Sequence, residues 1–76
     1  MTITVKFFAS LREQVGIDSR EIDAGSVRSV ADAWSAVAEV PPAGNVLAAV
    51  NLEYAAMDAP LRDGDEVAFF PPVTGG

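Results

Sequence analysis

No cysteine and no histidine occur among the 76 residues. Their absence excludes disulfide staples, thiol nucleophiles, soft-metal ligands and imidazole acid–base chemistry together. Neither a Ser-His-Asp nor a Cys-His arrangement can be assembled from this chain alone. Basic residues are scarce too, with 5 Lys and Arg against 11 Asp and Glu, a net charge of −6. Phosphate backbones demand cations, so nucleic acid is not an expected partner. A basic protein surface is, because charge complementarity speeds encounter, although an acidic excess also serves solubility alone. No apolar stretch approaches the roughly 20 residues needed to span a bilayer, so no membrane is expected as a partner either. The opening Met1-Thr2-Ile3-Thr4-Val5-Lys6 lacks the basic region and long apolar run of a signal peptide. The expectation is a soluble cytoplasmic protein. No glycine-rich phosphate loop is present, so no nucleotide site is expected on this chain.

What is there suits a small packed domain. A chain of this size has room for one domain and buries only about 60% of its unfolded surface, so its apolar residues must be used efficiently. Half of the residues are apolar, among them four Phe, one Tyr and one Trp. That composition argues against disorder.

The pattern along the chain alternates between two periods. Ile3, Val5, Phe7 and Ala9 alternate with Thr4, Lys6 and Phe8, which predicts a strand. Ser10 with Glu13 has the spacing of a capping box, opening a short helical turn that Gly16 ends. Ser19 to Asp23 fits a second strand, completing a hairpin with an elaborated loop. Ser29 with Asp32 marks the next helix start. Val30, Ala33, Trp34, Val37 and Ala38 then form one apolar stripe, with Trp34 as the expected core plug. Pro41-Pro42-Ala43-Gly44 is expected to end that helix. Val46 to Asn51 is a nearly continuous apolar run, too short for a helix, that predicts a buried strand. Tyr54 to Met57 fits a short edge strand, and Glu66 to Phe70 a last strand after the turn at Asp63-Gly64-Asp65. Asp63-Gly64-Asp65-Glu66 also invites a metal reading. An EF-hand spreads its ligands over a loop of about 12 residues, and that spacing is absent, so the turn is preferred and no metal site is expected.

The resulting order is strand, strand, helix, strand, short strand, strand. It predicts an α+β fold in which the first and last strands lie parallel at the centre of a five-stranded mixed sheet. One main helix must cover a face of that sheet to bury its stripe. This is the β-grasp arrangement, expected over residues 1–72, with residues 73–76 as a flexible tail.

From Val67 to Gly76 no side chain carries charge. Pro71 and Pro72 cannot donate to a sheet and favour an extended exit. Beyond them Val73-Thr74-Gly75-Gly76 can project roughly 13–14 Å when extended. A slim neutral arm ending in one carboxylate suits insertion into a narrow site on another protein. Glycine at Gly76 leaves the carboxylate open to close approach, since it has no Cβ. Frayed ends are often rich in small residues, so Gly-Gly by itself is a weak signal; attached to a β-grasp pattern through a rigid proline exit it is a strong one. With no thiol in the chain, any sulfur it carries must be held as a thiocarboxylate at Gly76. On the sheet, period 2 sends Phe7 and Phe69 inward and Phe8 and Phe70 outward, close to each other and to Tyr54. Such an exposed aromatic patch points to a protein partner.

Val5-Lys6-Phe7-Phe8-Ala9, Arg12-Glu13, Leu47-Ala48-Ala49-Val50-Asn51 and above all the run from Leu61 to Gly76 resemble the small subunits of molybdopterin synthases, a family of ubiquitin-like sulfur carriers. The resemblance covers nearly the whole chain and is thinnest from Ile17 to Asn45. It implies a chain with no catalytic site of its own. A ubiquitin-activator-like enzyme, consuming ATP, would adenylate Gly76, and a sulfur donor protein would convert the adenylate to a thiocarboxylate. Pro71, Pro72, Val73, Thr74 and Gly75 would enter the large subunit of the synthase with it. There sulfur would pass to a cyclic pyranopterin monophosphate in molybdenum cofactor biosynthesis. Phe8, Tyr54 and Phe70 match the hydrophobic residues that the family uses against its partners. The assembly implied is a heterotetramer with the large subunit dimerised at its centre.

Three other readings share parts of this pattern. A sulfur carrier for thiamine thiazole, cysteine or tRNA thiolation would have the same fold and ending, but the Phe-Phe-Pro-Pro-Val run favours the molybdopterin branch. A ubiquitin-like modifier would share the activation step and form isopeptide bonds. A plain binding module would tolerate loss of Gly76.

Overall fold

A computed structural model of the chain describes residues 1–38 and 46–72. Among them the order is β1 (Thr2–Phe7), α1 (Ser10–Val15), β2 (Ser19–Asp23), a 3-10 turn (Ala24–Ser26), α2 (Val30–Val37), β3 (Leu47–Val50), β4 (Glu53–Ala55) and β5 (Glu66–Phe70). The strands form one mixed sheet in the order β2-β1-β5-β3-β4. β1 and β5 run parallel, with Val5 opposite Val67 and Phe7 opposite Phe69. The pairs β1–β2, β3–β5 and β3–β4 are antiparallel. This is the β-grasp topology expected from the sequence.

One face of the sheet makes the core. Ile3, Val5 and Phe7 of β1, Val67 and Phe69 of β5 and Ala48 of β3 are buried there against Leu11, Val30, Ala33, Trp34 and Val37. Three rings lock its centre. Trp34 meets Phe69 edge-on at 5.0 Å and Phe7 at 5.5 Å, while Phe7 and Phe69 stack at 5.6 Å. Trp34 is therefore a packing residue, as its place in the apolar stripe implies.

Several local expectations need correction. Ser10 does not cap α1. The cap is Ala9, at φ 54° and ψ −133° with no side-chain hydrogen bond, and Ser10 is already helical. Ala9 is exposed, so the inward alternation of β1 stops at Phe7. Gly16 does end α1, in the left-handed region at φ 80°. At α2, Ser29 Oγ accepts from the Asp32 N–H as a cap should, but Asp32 Oδ2 accepts from Arg28 N rather than from Ser29 N. α2 stops at Val37 with Ala38 extended, ahead of the proline cluster, and residues 39–45 lie outside the described residues. β3 is shorter than the run from Val46 to Asn51, because Asn51 and Leu52 form a turn with φ 51° and 72°. Only Ala48 of β3 is fully buried; Val50 shares its face and packs against the core partly exposed, while Leu47 and Ala49 lie on the uncovered side of the sheet. β4 begins at Glu53 and ends at Ala55, not Met57.

The Asp63-Gly64-Asp65 segment is a turn, with Gly64 at φ 89°. Its carboxylates serve the backbone: Asp63 Oδ1 accepts from Thr2 N at 2.7 Å and Asp65 Oδ2 from Arg62 N at 2.8 Å. The turn thereby ties the start of β1 to the entrance of β5.

Candidate functional site

The face of the sheet opposite the helices is the site. Because side chains alternate, the residues facing away from the core can be read across the strands in register. One row is Ser19, Lys6, Ala68, Ala49, Tyr54, from β2 through β4. The row on one side is Glu21, Thr4, Glu66; on the other, Phe70 pairs with Leu47. The face is thus divided. Glu21, Asp23 and Glu66 make the β2 end acidic, with Lys6 Nζ bridging to Glu66 at 3.3 Å. The β5–β3–β4 end is apolar.

On that apolar half, Ala49 and Ala68 form the floor of a shallow groove of about 280 Å³. Phe8, Tyr54, Phe70 and Leu52 stand around it. Small residues on the floor and large ones at the rim make a depression rather than a flat sheet. Tyr54 and Phe70 touch across it, ring centroids 5.8 Å apart and planes tilted by 51°. Phe8 is 46% and Tyr54 77% exposed, while Phe70 is half-buried. Phe8 sits one residue beyond β1, its N–H donating to Phe69 O at 3.0 Å, and the strained backbone at Ala9 then turns the chain into α1. Three aromatics expected on one surface are therefore brought together.

Leu52 escaped the sequence reading. It is 90% exposed on the two-residue connection between β3 and β4. The signal available was Asn51, a residue that tolerates positive φ at the end of an apolar run. The position of β5 matters as much as the groove. Phe70 ends the strand at the groove, and half-buried Pro71 and Pro72 continue from it. Val73, Thr74, Gly75 and Gly76, the expected inserted arm and its reactive end, lie outside the described residues.

A mixed sheet in this order, with one main helix on one face and an uncovered groove beside the last strand, defines a β-grasp protein of the ubiquitin-like class. The ThiS family model matches residues 5–76, and the chain belongs to that family. It is 46% identical to the molybdopterin synthase sulfur carrier subunit of Escherichia coli (strain K12), over 97% of this chain and 99% of that one. Among solved structures, the small archaeal modifier protein 1 of Haloferax volcanii superposes with a TM-score of 0.75 at 28% identity, over 95% of this chain and 98% of that one. One chain of the protein–protein complex of subunits 1 and 2 of the molybdopterin-converting factor of Helicobacter pylori gives a TM-score of 0.67 at 23% identity, over all of this chain and all of that one. That last likeness concerns the fold.

Proposed function

We propose that this chain is the sulfur carrier subunit of a molybdopterin synthase, working through the carboxylate of Gly76. The observation that carries the reading is the 46% identity to a sulfur carrier subunit along nearly the whole of both chains. The geometry agrees: the groove and the strand leading to the tail share one side of the molecule, so a partner gripping the first can receive the second.

The chemistry follows from a glycine carboxylate in a chain that holds no cysteine. A Gly76 carboxylate oxygen attacks the α-phosphorus of ATP on an adenylating partner, and pyrophosphate leaves. The acyl-adenylate is a good acyl donor: sulfide-level sulfur (HS⁻) supplied by a donor protein attacks the acyl carbon, the bond to AMP breaks, and loss of the thiol proton leaves the thiocarboxylate. The tail, Pro71 to Gly75, then carries that sulfur into the large subunit, where the catalytic site for attack on the cyclic pyranopterin monophosphate resides. This chain contributes reach, orientation and the sulfur. Phe8, Tyr54 and Phe70 hold it to its partners. A cytoplasmic location fits an activation step that consumes ATP.

Reconstitution tests this. The full chain, activated and mixed with the large subunit and the pterin precursor, is expected to yield molybdopterin in proportion to thiocarboxylate. A chain lacking Gly76 should yield none while keeping its fold. Product from the truncated chain would overturn the proposal. The likeness to a small archaeal modifier supports a second reading, isopeptide modification of other proteins. Covalent ladders dependent on Gly76 in cells would support it.

A further inference from the structure

β3 and β4 are joined by two residues, Asn51 and Leu52, both at positive φ, 51° and 72°. A two-residue hairpin with both φ positive is the pattern of a type I′ turn, whose second position strongly favours glycine. A leucine there pays steric strain, because its Cβ crowds the carbonyl in the left-handed region. Leu52 compounds this by leaving its side chain 90% exposed, where it gains nothing from burial. Strain of this kind persists where the surroundings over-determine it. Here they do. Asn51 N donates to Glu66 O at 2.8 Å, Asn51 Oδ1 accepts from Glu66 N at 3.0 Å, and Asn51 Nδ2 donates to Asp65 Oδ1 at 2.9 Å. The turn is bolted to the entrance of β5 by three hydrogen bonds. That turn places Leu52 at the rim of the Ala49–Ala68 groove.

Resting on the function proposed above, we infer that Leu52 is a partner-contact residue, a preorganised apolar anchor that the large subunit covers when it takes the tail. The backbone that carries Leu52 is fixed in advance by the Asn51 hydrogen bonds, so the loop loses little freedom on binding, which raises affinity. Its setting specifies the complement. Glu53, Asp65 and Glu66 lie beside the turn in a chain of net charge −6. The matching surface is an apolar pocket flanked by Lys or Arg. Continuity with Phe8, Tyr54 and Phe70 around one groove makes it an extension of that contact. In the proposed function the large subunit takes the tail, and Phe70 ends the strand that leads to that tail at this same groove, so the subunit that receives the tail is the one that covers Leu52.

Leu52→Gly separates contact from folding, because the two effects have opposite signs. Relief of the turn is expected to raise the melting temperature by roughly 2–5 °C. Loss of the anchor is expected to weaken the Kd for the large subunit by about tenfold. Leu52→Ala should weaken binding similarly without the thermal gain. Unchanged affinity in both variants would overturn the inference while wild-type binding upheld the functional reading. Wild-type chain that fails to bind the large subunit would sink that reading and this one with it. A fall in melting temperature for Leu52→Gly would refute the strained turn.

Discussion

Phe69 and Phe70 are adjacent in the chain and face opposite sides of the sheet: Phe69 is fully buried 5.0 Å from Trp34, and Phe70 lies 5.8 Å from Tyr54 on the open face. The pleat that separates them also separates their roles. Removing the Phe69 ring empties the centre of the three-ring cluster, and Phe69→Ala is expected to cost about 3–5 kcal/mol, enough to unfold a domain this small. Phe70→Ala should cost well under half of that and act instead on partner binding. Chemical denaturation of both variants, with titration of the large subunit into Phe70→Ala, checks the split. A large stability loss with normal binding in Phe70→Ala would show that Phe70 is core.

Asn51 is the clamp between two strands. Its side chain satisfies Glu66 N and reaches Asp65, and it occupies a left-handed conformation that alanine tolerates poorly. Asn51→Ala is expected to destabilise by about 1–3 kcal/mol, measured as a shift in the urea midpoint with unchanged slope. A loss below about 0.5 kcal/mol, the range of ordinary surface substitutions, would mean the clamp is unimportant.

Ala9 offers the opposite sign. It holds φ 54° and ψ −133°, a region that favours glycine, at the bend between β1 and α1. Ala9→Gly is therefore expected to stabilise by about 1 kcal/mol, after the entropy that glycine gains in the unfolded chain is deducted. Thermal unfolding decides it, and a lower melting temperature would show that the bend is unstrained.

The sheet order was legible because burial writes period 2 onto β1 and β5 and period 3.6 onto α2, and one helix has only one sheet face to cover. The same pleat put Phe8 and Phe70 outward, and the register then brought Tyr54 beside them. Local details were less legible. Ser10 has a capping residue's chemistry, yet the backbone turns at Ala9, one position early, to keep Leu11 in the core. β3 read as a buried strand because the run is nearly all apolar, whereas only the face of Ala48 and Val50 meets the core and that of Leu47 and Ala49 is uncovered. Leu52 was hidden for a related reason: an apolar residue next to a strand looks like more strand until Asn51 is seen to break it. The tail was read from composition and resemblance, and its four last residues lie outside the described structure.

The most direct test of the account is the intact mass of the full chain after incubation with an adenylating enzyme of the ubiquitin-activator type, ATP and a sulfur donor. The account predicts an oxygen-to-sulfur increment that fragmentation assigns to Gly76 and that vanishes when Gly76 is deleted. A mass that stays unmodified, with the enzyme active on its own known substrate, would contradict it.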